Sequence, residues 1–259
     1  MVLRFILAVV AALTTPSSQR MLYITPSHNT ACPGLPCLTL SEYTAQARIS
    51  SDTNIDLLFL AGNHTLNDSI LIRNSTSFVM SGDSTSLPSL RSVIICTPLA
   101  PFGLDFENVT VVSISALVFT GCGIQQPQVP VHALFHAEYV RRFLLNECSF
   151  TDNGFMISLS FRATFAQISN CSFINNRARF ASGMLAVTSY IQFIGSNCFF
   201  NNSATTMCSV IYSQASHIDF ISSDGIPAYY KNHEDNCLPG TVSLVDNSVR
   251  NGSCCGGAV

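Results

Sequence analysis

The sequence predicts an all-β fold, a parallel β-helix with about three short strands in each coil. The first observation is an internal repeat, because the spacing aliphatic-x4-Phe-x2-Asn begins at Leu145, Ile168 and Ile194. A related line begins at Ile114 and carries Cys122 in place of the Asn. Self-similarity at a period of about 20–50 residues is typical of solenoids. The second observation is composition: 10% charged and 47% hydrophobic residues favour stacked strands with polar turns over surface helices.

The repeat also predicts what lies inside the coils. Equivalent residues of successive coils lie over one another at the strand spacing of about 4.8 Å. We therefore expect an inward aromatic stack and, at one turn, an Asn ladder whose side-chain amides form hydrogen bonds between coils. Asn also tolerates the left-handed backbone conformation that turns often require. The stack would contain Phe119, Phe150, Phe173 and Phe199, and the ladder Asn153, Asn176 and Asn202. An antiparallel β-sandwich does not explain these recurrences, and the Leu frame of a leucine-rich repeat is absent from the sequence.

The start of the chain is typical of a secretory signal peptide, which we assign to residues 1–18. Arg4 supplies the positive charge, and residues 5–13 form an apolar core. That core is shorter than the roughly 20 residues needed to span a bilayer, although an uncleaved anchor or a buried strand remains the alternative. No other window reaches membrane-spanning length. Eleven Cys residues indicate an oxidising compartment, so the protein is expected to be secreted or at the cell surface.

Residues 19–53 form a predicted N-terminal segment. Pro and Gly between Cys32 and Cys37 indicate a turn, across which these two residues can form a disulfide. A helix over residues 41–48, with Ser41 as its N-cap, is expected to cover the open end of the solenoid. Residues 54–259 are the predicted β-helix. The last residues, 245–259, are typical of the start of another coil, which predicts a truncated gene model or the first part of a longer ectodomain.

Asn-x-Ser/Thr sequons follow the signal peptide and predict a glycoprotein. The predicted glycosylation sites are Asn63, Asn67, Asn74, Asn108 and Asn251. Two further sequons, at Asn170 and Asn201, lie in the repeat. We expect these two side chains to turn inward and do not assign them.

The repeat resembles a known superfamily. The turns Phe173-Ile-Asn-Asn-Arg-Ala178 and Phe199-Phe-Asn-Asn-Ser-Ala204, followed by Gly-Met-Leu, are similar to those of right-handed parallel β-helix proteins. That superfamily includes pectin-lyase-like enzymes and outer-membrane adhesins. The lines Cys-x4-Cys-Leu-Thr-Leu-Ser-Glu-Tyr43 and Leu60-Ala-Gly-Asn-His-Thr-Leu66 are also similar to secreted β-helix proteins of sponges and other simple animals. The resemblance covers residues 31–259 and implies a right-handed coil.

The enzymes of this superfamily use clustered carboxylates, but the acids of this chain are sparse. Asp219 and Asp224 lie on one predicted coil, and Glu138, Glu147 and Asp152 on another. None is predicted to have a carboxylate at the matching position of the next coil. The site prediction is therefore that there is no catalytic residue, no metal site and no cofactor.

The remaining His and Cys residues do not alter that prediction. His132 and His136 would share one face of a strand without an acid or Cys partner, which indicates surface histidines. The segment His233-Glu234-Asp235 is typical of a solvated turn. Cys148 and Cys171 occupy the same position of the repeat, and Cys198 lies one residue away from that position. We expect all three to be buried free thiols. A bridge between Cys208 and Cys237 stays open.

These observations predict a secreted or cell-surface binding or adhesion module that recognises an extracellular glycan or protein. The alternative is a polysaccharide lyase or glycoside hydrolase of the pectin-lyase-like type, active or degenerate, and whether the protein is an enzyme is left open. A net charge of −3 with scattered basic residues argues against a nucleic-acid partner. Recognition is expected on outward residues and in the loops 123–131 and 225–240.

Overall fold

The described residues form a parallel β-helix with one short helix near its N-terminal end. The computed structural model describes residues 20–27, 32, 37–47, 54–83, 91–96, 103–123, 133–154, 157–178, 181–205, 210–221, 242–245 and 248–249. The predicted signal peptide, Asn251 and the end of the chain lie outside the described residues. Every strand pairing in the described part is parallel, which confirms the predicted fold class. The handedness of the coil stays a prediction.

Three long sheets form the walls of the helix, and we name them A, B and C in the order in which each coil visits them. Sheet A contains β1 (Arg20–Thr25), β2 (Cys37–Thr39), β3 (Asn54–Phe59), β6 (Ser77–Gly82), β9 (Val111–Ser115), β12 (Arg142–Asn146), β15 (Phe165–Ser169), β19 (Tyr190–Ile194) and β23 (His217–Ile221). Sheet B contains β4 (Gly62–Leu66), β7 (Ser92–Cys96), β10 (Leu117–Thr120), β13 (Ser149–Thr151), β16 (Ser172–Ile174), β20 (Asn197–Phe200) and β24 (Val242–Val245). Sheet C contains β5 (Ile70–Arg73), β8 (Leu104–Glu107), β11 (Phe135–Glu138), β14 (Ile157–Arg162), β18 (Ala181–Val187) and β22 (Ile211–Gln214). A small fourth sheet joins β17 (Arg177–Ala178), β21 (Ser203–Ala204) and β25 (Ser248–Val249).

Alternation along the strands explains why each wall has one buried face. In β3, every second residue from Ile55 to Phe59 is buried and the residues between them are partly exposed. The same alternation recurs in β9 and β15. Side chains of successive strand residues point to opposite faces, so the inward residues of three walls meet in one continuous core.

The predicted aromatic stack is confirmed. Phe119, Phe150, Phe173 and Phe199 are register partners in sheet B, and each is fully buried. Their ring centroids lie 5.3, 4.8 and 4.6 Å apart, and the rings are parallel within 8°. Phe135 of sheet C meets the edges of the stack, with its centroid 5.0 Å from Phe119 and 5.6 Å from Phe150. The stack therefore joins walls as well as coils.

The predicted Asn ladder is also confirmed. Asn176 accepts hydrogen bonds at Oδ1 from the backbone N–H of Asn153 (3.1 Å) and from its Nδ2 (3.0 Å). Asn202 accepts the equivalent pair from Asn176, at 2.9 and 3.0 Å. The ladder residues themselves do not have positive φ. Positive φ falls one position earlier, at Asp152, Asn175 and Asn201, because that residue turns the corner and leaves the ladder side chain pointing inward.

The N-terminal end is covered as predicted, but by more than a helix. Strands β1 and β2 extend sheet A beyond β3, while α1 (Leu40–Ala47) contacts β4 and β5, the first strands of sheets B and C. The N-cap is Thr39 rather than Ser41. Its hydroxyl accepts from the N–H of Glu42 (3.3 Å), and the Glu42 carboxylate accepts from the N–H of Thr39 (2.8 Å). This reciprocal pair is a capping box.

Two disulfides are defined in the described part of the chain. Cys32 and Cys37 are bonded, with their Cα atoms 6.5 Å apart, as the sequence predicts. Cys96 and Cys122 form a second bridge between neighbouring coils, with Cα atoms 4.6 Å apart, which the sequence did not predict. Cys148 and Cys171 are buried free thiols, as predicted. Cys198 is disulfide-bonded, so the expectation of a free thiol there is wrong.

Candidate functional site

The outer face of sheet C carries a concentration of ionisable side chains. Strand register arranges its outward residues in two columns that run along the helix axis. The first column contains Leu71, Asp105, His136, Ser160 and Leu185. The second lies two residues further along each strand and contains Arg73, Glu107, Glu138 and Arg162. We call these two columns the sheet C face.

A cavity of about 630 Å³ opens on the sheet C face. This volume falls within the range of small-molecule sites, about 300–1,000 Å³. Apolar and polar groups share the lining: Ser69, Leu71, Arg73, Gly103, Leu104, Asp105, Ala133, His136, Ser160 and Leu185. A lining of this kind can bury apolar ligand surface while a few polar groups fix the orientation of the ligand.

His136 lies at the centre of the sheet C face. Its Nδ1 is 3.3 Å from Oγ of Ser160 on the next coil. Its Nε2 is 3.8 Å from Oε2 of Glu138, two residues further along its own strand. Asp105 is its register partner on the preceding coil. One imidazole is therefore surrounded by a hydroxyl and two carboxyl groups drawn from three coils.

The charges on this face balance only in part. Arg73 pairs with Glu107 at 2.7 Å, and Arg162 pairs with Glu138 at 3.5 Å. Asp105 forms no ion pair with the described residues, and burial raises the pKa of its carboxyl, with His136 and Arg73 opposing that rise. Burial thus disfavours the ionised form of Asp105.

The structure corrects two predictions about these residues. His136 was expected to have no acidic partner, but Asp105 and Glu138 lie beside it. Glu138 was expected to have no carboxylate at the matching position of a neighbouring coil, but Glu107 is its register partner. The partners were missed because the strands of sheet C are separated by insertions of different length, so matching positions do not recur at the repeat period.

A second polar cluster lies on the outer face of sheet A. The Tyr190 hydroxyl donates to the carboxylate of Asp219, which also accepts from His217 at 2.8 Å. The Tyr190 hydroxyl lowers the pKa of Asp219, and the bond to Asp219 raises the pKa of Tyr190. Asp219 is the register partner of Gln192. Since Asp219 is on sheet A and Glu138 on sheet C, these two carboxylates belong to different faces.

The other candidate residues do not join either cluster. Glu147 and Asp152 occupy corner positions with positive φ. His132, Asp224, Cys208, Cys237 and the segment from His233 to Asp235 lie outside the described residues. Within the part of the chain that the structure describes, no set of three or more His, Cys, Asp or Glu residues is arranged to hold a metal ion.

The sequons in the described part of the chain all have exposed side chains. The expectation that Asn170 and Asn201 turn inward is wrong, because both are exposed and adopt positive φ. The amide of Asn108 donates to Oδ1 of Asn74 at 2.8 Å across neighbouring coils. Exposure makes these sites sterically accessible, while their modification stays a prediction.

The described residues include no helix that is both long and apolar enough to cross a membrane. No protein-family model, curated protein or solved structure matches this chain. The sheet C face is therefore the feature from which a function is inferred.

Proposed function

We propose that this protein is a secreted or cell-surface β-helix module that binds an extended glycan along the sheet C face. The observation that carries the proposal is the cavity of about 630 Å³ in which Arg73, Asp105, His136 and Ser160 meet apolar side chains. Ligands with many hydroxyl groups need donors and acceptors in fixed positions, and a rigid sheet provides them with little ordering cost. A protein ligand on the same face is the other outcome that the test distinguishes.

Parallel stacking suits an extended ligand for a geometric reason. Each coil repeats the same outward positions at about 4.8 Å along the axis, so the sheet C face presents a row of contacts rather than a single pocket. The row changes from Leu71 through Asp105 and His136 to Ser160 and Leu185. A polymer lying along the axis meets an apolar contact at each end and polar groups between them.

The test is a glycan array followed by calorimetry with the full chain secreted from eukaryotic cells. Asp105→Asn removes a carboxylate from the cavity, and Leu71→Arg places a bulky charge at its end. Asp219→Asn is the matched control, because it removes a carboxylate from sheet A. We expect the two cavity variants to weaken binding at least about tenfold, which corresponds to about 1.4 kcal/mol, while the control binds normally. Equal loss in all three variants, or no glycan bound by the wild type, contradicts the proposal.

Secretion and glycosylation belong to the same proposal. The apolar start of the chain and the exposed sequons support an extracellular location, as does the disulfide between Cys96 and Cys122. Enzymatic deglycosylation in heavy-oxygen water marks each occupied Asn for mass spectrometry. We expect marks at Asn63, Asn67, Asn74, Asn108 and Asn251, and the exposed Asn170 and Asn201 are accessible to the same modification. An unmodified protein retained inside the cells contradicts this part of the proposal.

The second candidate function is a polysaccharide lyase or glycoside hydrolase of the pectin-lyase-like superfamily. Its supporting observation is that Glu107 and Glu138 are register partners on neighbouring coils, since glycoside hydrolysis commonly uses two carboxyl groups. Each is already paired with an Arg, which favours binding over acid–base chemistry. Release of reducing or unsaturated sugars from acidic polysaccharides, lost in Glu138→Gln, would favour the enzyme.

A further inference from the structure

The sheet C face contains an unused nucleophile. Ser160 lies on β14 between the inward residues Leu159 and Phe161, so its side chain is on the outer side of the sheet, where it is 9% exposed. Its Oγ is 3.3 Å from Nδ1 of His136, and both residues line the cavity. A hydroxyl beside an imidazole within a cavity is the arrangement from which nucleophilic catalysis starts.

The charge of the neighbouring carboxylate favours the tautomer that this chemistry needs. Oε2 of Glu138 lies 3.8 Å from Nε2 of His136, so a proton on Nε2 is favoured by the negative charge. With that proton on Nε2, Nδ1 carries the lone pair and accepts the Ser160 hydroxyl. Hydroxyl, imidazole and carboxylate then form the order of groups found in serine hydrolases, with the two imidazole nitrogens exchanged.

We propose that Ser160 is the nucleophile of an acyl-transfer site that removes O-acyl groups from the bound glycan. Ser160 Oγ attacks the ester carbonyl while its proton passes to Nδ1 of His136. The bond between the carbonyl carbon and the sugar oxygen breaks, and the sugar alkoxide takes that proton. Water then attacks the acyl-serine, which releases the carboxylic acid and restores the serine hydroxyl. The identity of the substrate as a glycan rests on the proposed function; the nucleophile itself does not.

The cavity also supplies an apolar contact for the acyl group. Leu185 is the register partner of Ser160 on the following coil and lines the same cavity, so its side chain can contact a short acyl group. Glu138 acts through His136 and is a positioning residue.

A fluorophosphonate probe tests the nucleophile directly in the full secreted protein. Such a probe forms a phosphonate ester on an activated serine and loses fluoride, and peptide mass spectrometry locates the adduct. We expect labelling at Ser160, its abolition in Ser160→Ala and a rate at least about 100-fold lower in His136→Gln. Ser172→Ala is the control, because Ser172 is an outward serine of sheet B that bonds to Ser149. Absence of an adduct at Ser160, or equal labelling in His136→Gln with wild-type circular dichroism, overturns the proposal.

Ester hydrolysis then tests the substrate class. Acetate release from O-acetylated polysaccharides is expected in the wild type and lost in Ser160→Ala, which should still bind the polysaccharide. Glu138→Gln is expected to lower kcat with little change in KM, and Glu138→Asp to restore part of it. Glycan binding without acetate release or labelling refutes the acyl transfer and leaves the proposed function standing. Labelling of Ser160 without glycan binding refutes the proposed function and the glycan substrate, and leaves the nucleophile standing.

Discussion

The Asn ladder gives the sharpest test of what holds the coils together. Asn176 is fully buried, and its side chain makes four hydrogen bonds. Its Nδ2 donates to the carbonyl of Phe150 at 2.9 Å and to Oδ1 of Asn202 at 3.0 Å. Its Oδ1 accepts from the N–H and the side chain of Asn153, at 3.1 and 3.0 Å. Asn176→Ala removes all four bonds at once.

The magnitude follows from the groups left without these bonds. The N–H of Asn153 loses its acceptor and the carbonyl of Phe150 loses its side-chain donor, and each buried loss costs about 1–3 kcal/mol. We therefore expect Asn176→Ala to lower the free energy of unfolding by about 2–6 kcal/mol. Domains have about 5–15 kcal/mol of stability in total, so the variant should unfold at clearly lower urea concentration.

The control is the neighbouring residue Asn175. It has φ of 55° and accepts one bond from the exposed side chain of Asn201 at 2.8 Å. Asn175→Gly keeps the left-handed corner and loses only that exposed bond, so we expect a change below about 1 kcal/mol. Urea unfolding with intact disulfides measures both variants, and hydrogen exchange at the amide of Asn153 reports the ladder locally. Equal unfolding midpoints for the two variants, or unchanged protection of Asn153, would refute the reasoning.

Four further predictions concern the core, a bridge and two titrating groups. Phe150→Ala should cost about 3–5 kcal/mol in urea unfolding, because its ring is stacked on both sides, and Phe150→Leu should cost less. Replacing both Cys96 and Cys122 with Ala opens a loop of 26 residues and should cost about 3–4 kcal/mol; a peptide map without reduction should show the bridge in the wild type. Burial lowers the pKa of His64, so the folded state binds fewer protons there than the unfolded state, and stability should fall as the pH drops below about 6.5. His64→Gln should flatten that slope in unfolding measured across pH. Burial raises the pKa of Asp105, so its effect on stability has the opposite sign. The folded state binds more protons there than the unfolded state, and the free energy of unfolding should fall as the pH rises from about 4 through the pKa of the folded state. Asp105→Asn should therefore be more stable than the wild type at pH 7 and equally stable below about pH 4. A less stable Asp105→Asn at pH 7 would contradict this.

The sequence predicted the inward residues well because stacking repeats them. Phe150 and Phe173 serve the same purpose in successive coils, and so do Asn153 and Asn176, so identical residues recur at a readable spacing. Outward residues have no such constraint. Across sheet C the register partners Asp105, His136 and Ser160 are unlike one another and lie 31 and 24 residues apart. Matching residue types at a fixed spacing therefore does not identify these three residues as register partners.

A weaker signal for the sheet C face was present at the corners. The residue after each sheet C strand has positive φ, as at Asn74 and Asn108. Asn tolerates that conformation, so it marks the corner in sequence. Later coils place Tyr139, Ala163 and Thr188 at the same corner. These residue types do not indicate a left-handed turn, and the strand that ends at Glu138 was therefore not recognised.

The sheet C face is difficult to explain as a device for stability. The ion pair between Arg73 and Glu107 is half exposed, and exposed pairs contribute only about 0–1 kcal/mol. Asp105 opposes folding at neutral pH, because burial raises its pKa. The coils are already held by the Phe stack and the Asn ladder, which lie inside and need nothing from this face. Charges that cost stability and cluster around one imidazole in a cavity are typical of sites shaped by a ligand, and that is why we place recognition on sheet C rather than on the repeat.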